Sequence, residues 1–104
     1  MHVEEIQAAV RAEEYVYSLH ADLERRFDGL TLTQIETALL NGIILEQYPD
    51  TGRGESCLML GFSAEKPIHI VCGWRGKKVV LITVYVPQPP KFVDPWTRGS
   101  SKND

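Results

Sequence analysis

The chain has 104 residues, enough for one domain with a real core. With 43% hydrophobic and 24% charged residues, its composition is that of a folded globular protein and excludes a disordered chain. A net charge of −3 excludes a generic, charge-driven binder of nucleic acid or membrane surfaces, while leaving room for a small basic site.

The first 40 residues read as helical. Ile6 and Val10 are four apart, with Val3 one turn earlier, and Leu19, Leu23 and Phe27 repeat the same spacing. At 100° per residue, Leu23 points about 140° away from Val10, so one straight helix cannot turn both stripes to one core. The helix is therefore expected to break between Glu13 and Tyr17, where Tyr15, Val16 and Tyr17 favour a strand. Ser18 then caps a second helix, with Asp22 in its first turn, Arg25 and Arg26 in its last, and Gly29 ending it. A third helix starts after Thr31 or Thr33; Thr33-Gln34-Ile35-Glu36 has the form of a capping box, and Asn41-Gly42 stops the helix.

From Ile43 the pattern turns to strands: Ile43 to Tyr48, Ser56 to Phe62, Ile68 to Trp74 and Lys78 to Val86. Arg75-Gly76-Lys77 is expected as a short hairpin loop with Trp74 opposite Lys78. That register puts Ile68, Ile70, Cys72, Val80, Ile82 and Val84 on an oily face turned to the helices. His69, Val71, Gly73, Leu81, Thr83 and Tyr85 fall on a mixed outer face. The predicted fold is α+β: two or three N-terminal helices packed on one face of a four-stranded, mainly antiparallel sheet. Pro87-Gln88-Pro89-Pro90 is extended. Trp96 docks the tail, the domain is residues 1–96, and 97–104 is read as a disordered tail.

The N-terminus, Met-His-Val-Glu-Glu, has no basic start and apolar run of the kind that makes a secretory leader. Val79 to Val86, the longest apolar stretch, is interrupted by Thr83 and too short for a membrane. Cys57 and Cys72 have no metal-ligand spacing, which leads to the expectation of a reduced, cytoplasmic protein without metal or cofactor.

Three groups could carry chemistry. His20 and His69 titrate near neutrality and can act as acid and base if one cleft holds both; structural, hydrogen-bonded histidines are the alternative. Thr83 and Tyr85 share His69's expected face, in a setting that suits proton transfer or base stacking. Arg53, in the Gly-rich loop, and Lys77 and Lys78, at the hairpin tip, could hold phosphates or could be solvated turn charge.

Ser18-Leu19-His20-Ala21, Ala38-Leu39-Leu40-Asn41-Gly42, Tyr48-Pro49-Asp50, Pro67-Ile68-His69-Ile70-Val71 and Ile82-Thr83-Val84-Tyr85-Val86-Pro87, with Trp96 beyond, resemble in order and spacing a bacterial domain-of-unknown-function family of the DUF4258 type. That family looks like a distant relative of ribonuclease toxins of the RelE, BrnT and MqsR type. The resemblance implies a RelE/BrnT-like fold and membership in a toxin–antitoxin pair, with RNA and a small zinc-finger antitoxin as partners. His20 and His69 match polar positions of the family, and Tyr85 is a third candidate.

Two functions follow. One is a metal-independent endoribonuclease, with one histidine deprotonating the ribose 2′-OH and the other, or Tyr85, protonating the leaving 5′-oxygen. Arg53, or the pair Lys77 and Lys78, would then stabilise the phosphorane. The other is a non-catalytic interaction module that docks a partner on the sheet face.

Overall fold

A computed structural model of the chain describes residues 1–50 and 52–99. Helix α1 (Val3–Arg11) leads into strand β1 (Tyr15–Tyr17), then helices α2 (Leu19–Phe27) and α3 (Leu32–Leu40). Strands β2 (Ile43–Tyr48), β3 (Ser56–Ser63), β4 (Lys66–Arg75) and β5 (Lys78–Tyr85) follow, then a small hairpin of β6 (Phe92–Asp94) and β7 (Thr97–Arg98).

The expected break between the first two helices is real, and it makes a strand. Glu13 leaves α1 with φ +59°, and the β-favouring Tyr15-Val16-Tyr17 joins β5 in parallel. The sheet is thus five-stranded and mixed, in the order β1-β5-β4-β3-β2, with the other three pairings antiparallel. This corrects the four-stranded expectation. Three residues were enough because β5 offered an open edge to them.

Ser18 caps α2 as expected: its Oγ accepts from Ala21 N at 3.0 Å and donates to the Ile82 carbonyl at 2.9 Å. The box at the start of α3 is Thr31 with Gln34, not Thr33 with Glu36; Gln34 N donates to Thr31 Oγ1 and Thr31 N to Gln34 Oε1. At the other end, Asn41 clamps the backbone of Phe62, donating to its carbonyl at 2.7 Å and accepting from its N–H at 3.0 Å.

Helices α1 and α3 cover one face of the sheet. Their Ile6, Val10, Ile35, Ala38 and Leu39 meet Met59, Ile68, Ile70, Cys72, Val79, Leu81 and Val84 in one buried cluster. Gly61 lets α3 lie directly on β3: a Cβ there would fall 1.8 Å from the Ala38 carbonyl oxygen. Helix α2 touches that cluster only through Ala21. It runs along the sheet's edge and receives the free N–H groups of β5, Val84 N on Glu24 Oε1 at 3.1 Å and Val86 N on Asp28 Oδ2 at 2.9 Å.

The β4–β5 register also differs from expectation. Arg75, not Trp74, faces Lys78, around a two-residue turn in which Gly76 adopts φ +63°. An irregularity at Ile82 then shifts the pairing, so that His69 faces Tyr85 and Ile70 faces Val84. Leu81 therefore points inward, while Ile82 is exposed and Val80 lies across from Gly73 on the outer face. The remaining inward residues, Ile68, Ile70, Cys72 and Val84, are as read.

The outer face has a cover that the sequence reading lacked. The β6–β7 hairpin lays Phe92 over it and closes a second small core with Leu58, Leu60 and His69, all buried. Thr97 and Arg98, read as the start of the disordered tail, form β7 and so belong to the folded domain. Residues 100–104 of that expected tail lie outside the described residues. No helix among the described residues is long and apolar enough to cross a membrane.

Candidate functional site

His69 lies on the outer face, as its strand position predicts, but its ring has 0% exposure. Its Nε2 is 2.7 Å from the Pro95 carbonyl oxygen. A carbonyl can only accept, so this nitrogen carries the proton, and Nδ1 accepts from the Tyr85 hydroxyl at 3.1 Å. Phe92 sits edge-on to the ring at 4.4 Å between centroids. Burial is the main cause of a lowered His69 pKa, and Arg98 and Lys91 add to it; the Pro95 bond and Glu46 oppose it. The residue is thus a neutral, fully engaged member of a small core.

Around it the hairpin is clamped by charge. Arg98 Nε and Nη2 donate to the two Glu46 oxygens at 2.7 and 2.8 Å, and the Tyr48 hydroxyl donates to Glu46 at 2.6 Å. Arg98 holds the Glu46 carboxyl down to about 2, and burial, aided by Glu46, pushes the Tyr48 phenol up to about 12. Trp96 docks the tail as expected, against Phe62 at 5.8 Å.

His20 is elsewhere. It sits on α2 with two-thirds of its side chain exposed, its Nε2 3.2 Å from Glu24 Oε1. The two-histidine cleft is not formed: His69 is sealed under the hairpin, whereas His20 faces water at the edge of the sheet. Beside Glu24 a shallow cleft of about 310 Å³ opens, lined by Asp28, Thr83, Tyr85, Gln88 and Lys91. It brings Thr83 and Tyr85 together, and Lys91 Nζ lies 4.9 Å above the Tyr85 ring.

The proposed phosphate holders do not converge there. Arg53 borders a cleft of about 610 Å³ at the other end of the outer face, with Tyr48, Ser56, Gly73 and Arg75. Lys77 borders a groove on the helix side, with Ala8, Ala12 and Trp74. Lys78 stands opposite Arg75 at the hairpin tip. Among the described residues, no group of three or more His, Cys, Asp or Glu is gathered to hold a metal ion. Cys57 and Cys72 are free, buried neighbours across β3 and β4.

The largest departure from the sequence reading is α2 itself. Leu19, Leu23 and Phe27, read as a stripe facing the core, are 77%, 58% and 89% exposed. The helix is fixed from its other side, where Ala21 is fully buried and Glu24 and Asp28 reach the β5 edge. Sequence periodicity identified the stripe correctly but could not show which side was covered. Glu24, Asp28, Glu46, Lys91 and Arg98 were missed as working residues. The sequence carried no signal for them: even Glu46 reaches the outer face only through an irregularity at Leu45, since Ile44 two residues before it packs on the inner core.

Comparison with known proteins gives a family match. The profile of the family described as Domain of unknown function (DUF4258) covers residues 17–86, from the end of β1 to just past β5, and stops before the covering hairpin. No curated protein and no solved structure matches the chain.

Proposed function

Because this chain belongs to the DUF4258 family, whose description assigns no activity, we propose a function from its geometry: it is a protein-docking module that works through the exposed face of α2. The observation that carries this reading is the Leu19–Leu23–Phe27 stripe. Three large apolar side chains in a row, on a helix held rigidly from behind, make a contiguous patch of the kind that marks an interaction site on a soluble protein. Isolated exposed leucines would mean nothing; a phenylalanine left 89% exposed in line with two of them costs solubility unless something covers it. The partner that fits is a helix with its own apolar stripe, because a convex helical ridge is matched by another helix better than by a flat strand.

A photo-crosslinking residue at position 23, with a control at Glu65, tests this in the expressing cell. The reading expects a protein adduct of defined mass at 23, none at 65, and loss of the adduct on Phe27→Asp. No adduct at 23, or an adduct to RNA, would overturn it.

The endoribonuclease is the second reading, favoured by His20 being oriented by Glu24 next to the cleft of Thr83, Tyr85 and Lys91. In it His20 takes the 2′-OH proton as the 2′-oxygen attacks phosphorus, Tyr85, positioned by His69, gives its proton to the leaving 5′-oxygen, and Lys91 replaces Arg53, Lys77 and Lys78 as the cation at the phosphorane. The toxin resemblance and the zinc-finger antitoxin belong to this reading. Against it stand Glu24 and Asp28 in the same cleft, which repel phosphate. Equal growth and intact transcripts for wild type and His20→Ala would remove it.

A further inference from the structure

We propose that the helix docked on α2 is α2 of a second copy of this chain, running antiparallel with Leu23 at the two-fold axis. The inference rests on the reading of α2 as the docking face and names its partner.

The argument is the charge pattern beside the stripe. At 100° per residue, Leu19, Leu23 and Phe27 span about 80° of the helix surface. Asp22 and Arg26 flank them on one side, His20 and Glu24 on the other. Each flank therefore carries one acid and one base four residues apart. Both pairs are already close within the helix, Arg26 Nε to Asp22 Oδ2 at 3.1 Å and His20 Nε2 to Glu24 Oε1 at 3.2 Å.

Such a pattern is complementary to its own reversal. In a two-fold antiparallel pair each flank meets the same flank of its partner, turned end for end. With Leu23 facing Leu23, Leu19 of one protomer lies against Phe27 of its partner, filling the stripe without a gap. Asp22 then approaches Arg26 of the partner, and Glu24 approaches His20 of the partner. Each of these pairings is displaced along the axis by about two residues, or ~3 Å, in opposite directions on the two sides. A single crossing angle within the ordinary range of helix packing, about 20–50°, corrects both displacements at once. A two-fold parallel pair would also set Asp22 beside His20 of the partner and Arg26 beside Glu24 of the partner, but it would stack Phe27 on Phe27 and Leu19 on Leu19, so the stripe fills evenly only in the antiparallel pair.

Helix α2 is free to do this because its anchoring uses the opposite side. Ala21, Arg25 and Asp28 face the body of the protein, and Glu24, at the border of the two sides, keeps Oε1 on Val84 N while Oε2 is left for His20 of the partner, so dimerisation asks for no rearrangement of the sheet edge.

Sedimentation velocity on the full chain over about 10–300 µM tests the proposal. A concentration-dependent dimer is expected for the wild type, with Leu23→Asp monomeric throughout. Arg26→Glu, which sets acid against acid on one flank, should weaken the dimer by about tenfold, and Asp22→Lys combined with Arg26→Glu should restore it. Circular dichroism shows whether each variant is folded; Arg26 is exposed, so its substitution leaves the core intact. A wild type that stays monomeric, a dimer indifferent to Leu23→Asp, or a folded double variant that fails to recover would overturn self-docking. A monomer that still gives a crosslink to another chain at position 23 sinks this inference alone; loss of both sinks the docking reading with it.

Discussion

The imidazole of His69 donates from Nε2 to the carbonyl of Pro95 at 2.7 Å, tying the centre of β4 to the turn of the C-terminal hairpin. This bond converts a residue that looked catalytic into one that holds the cover on the sheet. Replacing it leaves two half-buried polar groups, the Pro95 carbonyl and the Tyr85 hydroxyl, without their partner and opens a cavity beside Phe92. His69→Ala should therefore lower stability by about 2–4 kcal/mol, measured by urea unfolding. A loss below ~0.5 kcal/mol would mean that the ring is not part of the core.

Acid should release the same hairpin, in two stages. The folded His69 pKa lies below its ordinary value of 6.5, so the neutral ring's contribution is complete above about 6.5 and declines as pH falls below it. Glu46 titrates near 2 when folded against an ordinary 4.5, so its contribution is present above 4.5 and is lost as pH drops from 4.5 towards 2. The Trp96 indole signal should shift across these windows. Arg98→Met should bring the second stage up towards 4.5, because Arg98 is the main cause of the Glu46 shift. A Glu46 carboxyl that titrates near 4.5 in the folded wild type, or an Arg98→Met variant with the same acid profile as wild type, would contradict the clamp.

Tyr17 has the opposite fault: its hydroxyl is buried with no hydrogen-bond partner among the described residues. Burial also raises its pKa, so the phenol stays protonated. Tyr17→Phe removes the unpaired group and keeps the ring, including its contact with the Arg25 guanidinium at 5.9 Å. The variant should be unchanged or more stable by up to about 1 kcal/mol in thermal unfolding. A clear loss would show that the hydroxyl has a partner.

Gly61→Ala tests how closely α3 lies on the sheet. The new methyl would meet the backbone of Ala38 at 1.8 Å, with no flexible side chain to give way. A cost of about 3 kcal/mol or more is expected in denaturant unfolding, exceeding that of Gly42→Ala, whose nearest backbone contact would be 2.7 Å. Equal, small effects would mean that α3 can lift away freely.

Most helices and strands could be read from the chain because their signals are local. The Ser18 cap, the Asn41-Gly42 stop and the apolar runs of β3 and β4 each involve neighbouring residues. What escaped depended on contacts between distant segments. The parallel partner of Tyr15–Tyr17 lies over 60 residues away. The irregularity at Ile82 changes which residue faces which without altering the composition of β5. Strands of three and two residues carry no alternation to detect, so the hairpin that buries His69 was invisible. The helical spacing of Leu19, Leu23 and Phe27 defined a face, but only the docking of α2 at the sheet edge left that face in water.

The central claim, that Phe27 and its neighbours are exposed in order to be covered by protein, can be measured at the ring itself. Fluorophenylalanine labelling gives one fluorine signal for each of the three phenylalanines, and the shift between light and heavy water reports exposure. In dilute purified protein, Phe27 should show a full solvent shift and Phe92 almost none. In the intact cell the Phe27 signal should move to a shielded, broadened position while Phe92 stays put. A Phe27 signal that remains sharp and at its free position inside the cell would contradict the account.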